Sequence, residues 1–233
     1  MERFIPVTFL WARRGVAAAG ILLAGLGLAV DPPPPAAPVD SIPPPPPPAP
    51  VVEIKTSMGV IRVELNLEKA PVTVANFLGY VSRGYYDGTV FHRAVGGYII
   101  QGGAFEKVGD QLIEKPTDPP IKSEADNALR NLEGTIAMAR TDVPDSATSQ
   151  FFINVRDNDI LDQSLAAPGF TVFGRVTAGM DVVRQINDVQ TGVRQVTRRL
   201  GDHQQNSQSL KAVPLQDVVI ESIRVLTPAT PPT

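Results

Sequence analysis

The run Phe91-His92-Arg93-Ala94-Val95-Gly96-Gly97-Tyr98-Ile99-Ile100-Gln101-Gly102-Gly103 decides how the rest of the chain is read. Apolar and polar residues alternate roughly on either side of Gly96-Gly97, the pattern of two strands bent around a glycine joint. The run carries one of the chain's two histidines, an arginine between apolar neighbours, and a glutamine. Arginine is seldom fully buried without a partner, so Arg93 faces solvent, a partner or a site. Taken alone, the run is explained by an ordinary strand pair with an outward arginine. A functional reading requires other segments to supply a pocket for Arg93.

Upstream, residues 51–56 and 60–65 read as strands joined by Ser57-Met58-Gly59, with Val60, Arg62 and Glu64 alternating against Ile61, Val63 and Leu65. Residues 70–83 read as a helix. Pro71 falls in its first turn, Val74, Phe77, Leu78 and Val81 recur at helical spacing, and Gly84 ends it. Downstream, residues 106–130 read as a long proline-containing loop and residues 135–139, 150–155 and 171–176 as strands. A short helix is expected from Met180 to about Asn187. Residues 189–214, with Arg194, Arg198, Arg199 and His203, read as a polar, irregular, solvated loop, and residues 218–225 as a closing strand. Many short strands with two isolated helices predict a mainly β chain closed into a barrel rather than a parallel sheet.

The termini differ from this domain. Arg3, Arg13 and Arg14 precede an uncharged run over residues 15–30. Sixteen helical residues span roughly 24 Å, short of a hydrocarbon core of ~30 Å. Residues 1–30 are therefore expected to be a secretory signal peptide or an N-terminal membrane anchor, with membrane attachment through residues 15–30 in the second case. Residues 31–50 follow as a proline-rich linker; twelve of the nineteen positions from 32 to 50 are proline, so no regular donor ladder can form and an extended rod is expected. It reads as a spacer or, alternatively, as a ligand for a proline-binding partner. The domain is assigned to residues 51–227 and a short Pro/Thr tail to residues 228–233.

Composition removes several kinds of chemistry. The formal net charge is −3, from 21 basic and 24 acidic side chains, which leaves no electrostatic footprint for nucleic acid. There is no cysteine, hence no disulfide, thiolate nucleophile or thiolate-bound zinc. His92 and His203 stand far apart and make no convincing metal site. Ser146 and Ser149 lack the strained Gly-x-Ser-x-Gly setting, no Walker-type loop occurs, and Gly96-Gly97 and Gly102-Gly103 lack dinucleotide-binding spacing. No cofactor or metal is expected.

Five ordered segments carry a resemblance. Phe91-His92-Arg93 with Gln101-Gly102-Gly103, Ile136-Ala137-Met138-Ala139-Arg140, Ser149-Gln150-Phe151-Phe152-Ile153, Leu161-Asp162 and Val172-Phe173-Gly174-Arg175-Val176 resemble the cyclophilin-type peptidyl-prolyl isomerases over the whole domain. Glu124-Ala125-Asp126-Asn127 and Asp145-Ser146-Ala147-Thr148-Ser149 are similar to the exported bacterial branch. The resemblance implies a closed eight-stranded antiparallel barrel capped by two helices. It also implies catalysis of X-Pro isomerisation without a covalent intermediate, proline-containing polypeptide substrates, a periplasmic location (released or tethered to the inner membrane) and a monomer.

Carried over residue by residue, it assigns the catalytic role to Arg93, with Gln101 orienting it and contacting the peptide carbonyl. Tyr98, Met138, Phe152 and Leu161 would line a cup for the proline ring, His92 would sit at its rim, and Ala139 and Arg140 would run along the peptide. Ile160 and Phe170 occupy binding positions at which the family often carries tryptophan and histidine; the missing indole donor implies weak cyclosporin binding. Tyr98 replaces a usual phenylalanine, Arg140 a small amide, and Gly96 a common proline, which implies a looser turn after Arg93. The alternative from another class is a proline-peptide binding or holdase module; the intact Arg93, Gln101 and Phe152 favour the enzyme.

Overall fold

In a computed structural model, which describes residues 48–200 and 204–226, strand alternation builds the barrel wall. In β1 (Val51–Thr56) and β2 (Gly59–Leu65), Val52, Ile54, Ile61, Val63 and Leu65 are completely buried while their neighbours face outward. Further strands are β3 (Thr89–Val95), β4 (Ile99–Val108), β5 (Gln111–Glu114), β6 (Thr135–Met138), β7 (Phe151–Asn154), β8 (Val172–Ala178), β9 (Thr191–Leu200), β10 (Gln204–Pro214) and β11 (Val219–Leu226). Neighbouring strands run in the order β4-β3-β11-β1-β2-β8-β6-β7, and a β4–β7 pairing closes the ring. Every pairing around it is antiparallel. The chain is thus mainly β, a closed eight-stranded antiparallel barrel with no free edge in the ring.

Two helices cap it. From α1 (Pro71–Ser82), Val74, Phe77, Tyr80 and Val81 enter the core, and from α2 (Met180–Asn187), Val183 and Ile186 do so. Ala70 cannot cap α1 with its side chain. Glu124 does so from a distant loop, accepting from the Val72 and Thr73 amides at 3.0 and 2.9 Å and from Thr73 Oγ1 at 2.7 Å. Phe77, Tyr86, Phe151 and Phe173 fill the centre with tilted and edge-on ring contacts.

Two segments differ from the sequence reading. Residues 106–130 are not all loop. β4 continues to Val108, Gly109-Asp110 forms a two-residue turn, and β5 pairs back along β4 from Phe105↔Glu114 to Val108↔Gln111. Residues 189–214 are not an irregular loop but contain the β9–β10 hairpin. The hairpin joins the sheet through a parallel pairing of β9 with β5 at Leu112↔Val196 and Ile113↔Thr197. It buries Val196 and Val213 against Val90, Phe105 and Leu112, a second small core outside the barrel. Its strands looked like loop because few of their side chains are apolar; backbone pairing and this narrow stripe hold them.

Among the described residues no helix is long and apolar enough to cross a membrane. The readings of residues 1–30, of the linker up to residue 47 and of the tail from residue 228 fall outside the described residues.

Candidate active site

A break in strand register aims Arg93. Phe91 pairs with Gly102 and Arg93 with Gln101, so β3 advances two residues while β4 advances one. This is a bulge, which switches the facing of everything after it. Strict alternation would put Arg93 on the same side as Phe91, inside the barrel. Instead Phe91 and Ala94 both face the barrel core, and Arg93 is exposed.

The turn after Arg93 is held rather than loose. Gly97 adopts a left-handed φ of +63°, open to glycine at little cost. Asn187, buried at the end of α2, accepts from the Gly97 amide at 2.7 Å and donates to the Val95 and Ile99 carbonyls at 2.8 and 3.1 Å. This clamp offsets the absence of proline at Gly96, and nothing in local sequence pointed to Asn187.

Gln101 lies directly across from Arg93, but its side-chain hydrogen bond goes elsewhere: Nε2 donates to Gln150 Oε1 at 2.9 Å. Among the described residues no side-chain hydrogen bond joins Gln101 to Arg93, so the expected orienting contact is replaced by cross-strand pairing of the two residues. Gln150 is a site residue that sequence reasoning missed, although it lies within the quoted Ser149–Ile153 segment. Next to it, the buried Ser149 hydroxyl donates to the Gly103 carbonyl at 2.8 Å and Tyr86 Oη donates to the Ser149 carbonyl at 2.9 Å. Gly103 has a φ of +83°, and a Cβ there would come within 2.9 Å of both the Ser149 oxygen and the Tyr86 ring. This packing fixes the spacing between β4 and β7 at which the two glutamines meet.

The apolar cup forms beside this row. Ile99, Ala137, Phe152 and Val172 make a buried cluster on the outer barrel wall, and Tyr98, Ala139, Leu161 and Phe170 pack on it half-buried. The Phe152 and Phe170 rings meet edge-on at 5.5 Å, and the Phe170 amide donates to the Leu161 carbonyl at 2.9 Å. The Arg140 guanidinium stacks over Phe170 at 4.6 Å, while its Nε donates to the Gly169 carbonyl at 2.8 Å.

Three expected site residues fall elsewhere. Met138 is 1% exposed and belongs to the barrel core; because β6 alternates, Ala137 faces the cup and Met138 faces away from it. Ile99, next to Tyr98, takes the cup position that Met138 was expected to fill. Ile160 is 77% exposed and stands outside the cluster. His92 is not at a rim. It is 3% exposed, with its ring edge-on to Phe105 at 4.9 Å and Nδ1 without a hydrogen-bond partner. Burial drives its pKa down to about 3, against a weaker opposing effect of the Val90 backbone carbonyl. The hairpin explains this, since Ser209, Leu210 and Lys211 of β10 wall the space over His92 and Phe105. The hairpin thus sets the position of His92, which lines the cavity beside Arg93 from a buried place under β10.

Two cavities flank the Arg93–Gln101 row on the side of β9 and β10. One, of about 290 Å³, lies against Arg93 and is walled by Ser209, Leu210 and Lys211. The other, a groove of about 610 Å³, runs past Gln101, Gln150, Ala139 and Arg140 to Lys115, Arg198 and Arg199. Gln101, Gln150 and Arg198 border both. An exposed guanidinium between an apolar cup and a polar groove suits a ligand that presents a small apolar ring and flanking peptide groups.

Known proteins share this architecture. The family described as cyclophilin type peptidyl-prolyl cis-trans isomerase/CLD matches residues 51–225. The chain is 46% identical over 175 residues to peptidyl-prolyl cis-trans isomerase A of Dickeya dadantii, covering 75% of this chain and 84% of that protein. It is 49% identical over 178 residues to peptidyl-prolyl cis-trans isomerase cyp18 of Streptomyces antibioticus, covering 75% and 98% respectively. In fold it is similar to a cyclophilin type isomerase of Cryptosporidium parvum, with a TM-score of 0.58 at 22% identity over 77% of this chain and 98% of that one. With a family match from the first barrel strand to the last and relatives near half identical, the chain belongs to the cyclophilin-type peptidyl-prolyl cis-trans isomerases.

Proposed function

We propose that this isomerase works through Arg93, which donates a hydrogen bond to the prolyl nitrogen of an X-Pro bond whose proline ring rests on Ile99, Phe152 and Leu161. The peptide bond resists rotation by ~18–20 kcal/mol because the nitrogen lone pair is conjugated with the carbonyl. Twisting the bond frees that lone pair, so a donor at the nitrogen binds the twisted state better than either planar isomer. A guanidinium is always charged and offers a rigid fork of donors. One charge-assisted hydrogen bond contributes about 1.5–3 kcal/mol, roughly one to two decades of rate. The cup excludes water and anchors the ring. Gln101, its nitrogen engaged by Gln150, keeps its carbonyl oxygen for a peptide N–H, and Ala139 and Arg140 border the path of the flanking peptide.

The observation that carries this reading is the bulge, which turns the Arg93 guanidinium out of the barrel on the strand pair that borders the buried apolar cluster. The test is isomerisation of a short Ala-Pro peptide by the full chain and by Arg93→Ala. Wild type is expected to accelerate exchange and the variant to lose roughly 10- to 100-fold in kcat/KM. Equal acceleration by both would assign the chemistry to other groups, and no acceleration by wild type would favour the holdase alternative.

The clients proposed are exported proteins with X-Pro bonds, supported by the arginine-flanked apolar run over residues 15–30 and the proline-rich spacer after it. Cell fractionation should then recover the chain in the periplasmic or inner-membrane fraction. Recovery in the cytosolic fraction would remove this part of the reading and leave the chemistry untouched.

A further inference from the structure

The groove beside the cup is basic in a chain that is acidic overall. Lys115, Arg140, Arg198 and Arg199 face it with one carboxylate, Glu114, among its described lining residues, whereas the whole chain carries a formal charge of −3. All four cations are half-buried, so their fields are less screened than those of freely solvated side chains.

The cations are also fixed in place by hydrogen bonds. Glu114 accepts from Arg198 Nη2 at 3.0 Å, which uses up its charge, and its second oxygen accepts from the Arg199 amide at 2.9 Å. The guanidinium of Arg199 is held by a carbonyl instead, Nε donating to the Glu114 oxygen at 2.8 Å. Lys115 Nζ donates to the Tyr85 carbonyl at 2.6 Å, and Arg140 bonds the Gly169 and Thr141 carbonyls. Three cations therefore line the groove with backbone oxygens, not carboxylates, as their hydrogen-bond partners. Carbonyl partners orient a cation without neutralising it, which leaves its charge for a ligand.

The geometry points to a groove that selects an acidic residue, Asp or Glu, near the proline of the substrate, read by Arg199, Lys115 and Arg140. This rests on the proposed isomerase site, because Gln101 and Gln150 border both the groove and the space beside Arg93. A peptide whose proline sits in the cup and whose backbone passes those glutamines carries a nearby side chain into the groove. Of these three cations Arg199 lies on β9 of the hairpin, Lys115 directly follows β5 and Arg140 follows the barrel strand β6, so the preference is shared between the hairpin and the segments that leave the neighbouring strands.

The test uses the full chain and peptides that share one Ala-Pro bond and differ only by Glu, Gln or Lys at a single position, walked across both flanks of the proline. Exchange rates come from NMR and binding from fluorescence anisotropy, each at about 0.02 M and about 1 M salt. At the best position the Glu peptide is expected to exceed the Gln peptide by roughly five- to ten-fold at low salt, with Lys below Gln, and the spread should shrink at high salt. Lys115→Glu with Arg199→Glu should reverse the order of Glu and Lys; the milder Lys115→Gln with Arg199→Gln should flatten it. Equal rates and affinities for the three peptides at every position would overturn the preference while leaving the isomerase site standing. Failure to accelerate any peptide would overturn the isomerase site, and the anisotropy series would still decide the preference.

Discussion

The two surfaces that meet at Arg93 and Gln101 are built on opposite principles. The cup is barrel wall: Ile99, Phe152 and Val172 are buried by strand alternation, and its outer members Tyr98, Leu161 and Phe170 pack onto them. The groove is assembled between β9 of the added hairpin, the segment that follows β5 and the segment between β6 and β7, and its charged lining includes two arginines held by Glu114. A proline ring looks the same in every substrate, so an apolar cup suffices to seat it. Flanking residues differ among substrates, and charge placed outside the barrel core, on the hairpin and on the segments beside it, can discriminate among them without disturbing that core.

The contrast can be tested from both sides. The largest effect is expected in the cup. Phe152→Ala removes a ring that is 3% exposed, which should cost about 3–5 kcal/mol of stability and roughly 100-fold or more in kcat/KM. Denaturant unfolding and NMR exchange measure the two. Phe152→Leu, which keeps most of the volume, should preserve the fold and lose activity mainly through KM. If it kept wild-type KM, the ring would not be the proline seat. Changes in the groove should be smaller, of the roughly five- to ten-fold order expected between the Glu and Gln peptides, and confined to charged substrates. A comparable loss on neutral peptides would dissolve the distinction between the two surfaces.

The smallest effect on rate concerns His92, which lies behind both. Buried and uncharged, with a pKa pushed down to about 3, it does not titrate where the enzyme works. The exchange rate should therefore show no histidine inflection between about pH 8 and about pH 5. Stability should respond instead. His92 of the unfolded chain takes up a proton below its ordinary value of 6.5 while the folded state refuses it. Its contribution is thus complete above about pH 6.5 and is lost as pH falls toward 3, by roughly 2–4 kcal/mol at about pH 4. Unfolding of wild type and His92→Leu across this range should show a slope in the first that is reduced in the second. An inflection in the rate near pH 6.5 would place His92 back at the site.

How much of this was legible in the chain depends on where each element draws its stability. β1, β2, α1 and the barrel strands bury one face in a large core, so period-two and helical spacing mark them and point to a closed barrel, while the count of eight strands comes with the family resemblance. Arg93, Gln101, Tyr98, Phe152, Leu161 and Phe170, which the resemblance assigns to one site, lie close together across β3, β4, β7 and the cup. Met138 was misplaced by a single step of alternation, which the Ala137 contact with the cup makes plain. The bulge at Phe91–Arg93 left no mark in composition, yet it decides which way Arg93 points. β5 and the β9–β10 hairpin were missed because they carry only a narrow apolar stripe, although Gly109-Asp110 is a two-residue turn signal for the first. Gln150 and Asn187 act through hydrogen bonds to partners distant in sequence, Gln101 and the Val95–Ile99 turn, for which residue spacing gives no cue.

The central claim is that Arg93 acts on the twisted amide and not on the resting peptide. NMR exchange of an X-Pro peptide with wild type and Arg93→Ala, run to saturation, yields the interconversion rate on the enzyme and the Kd together. The account predicts that the bound-state rate falls roughly 10- to 100-fold in the variant while Kd changes by less than about three-fold. A variant whose Kd weakens by the full factor with its bound-state rate unchanged would contradict it.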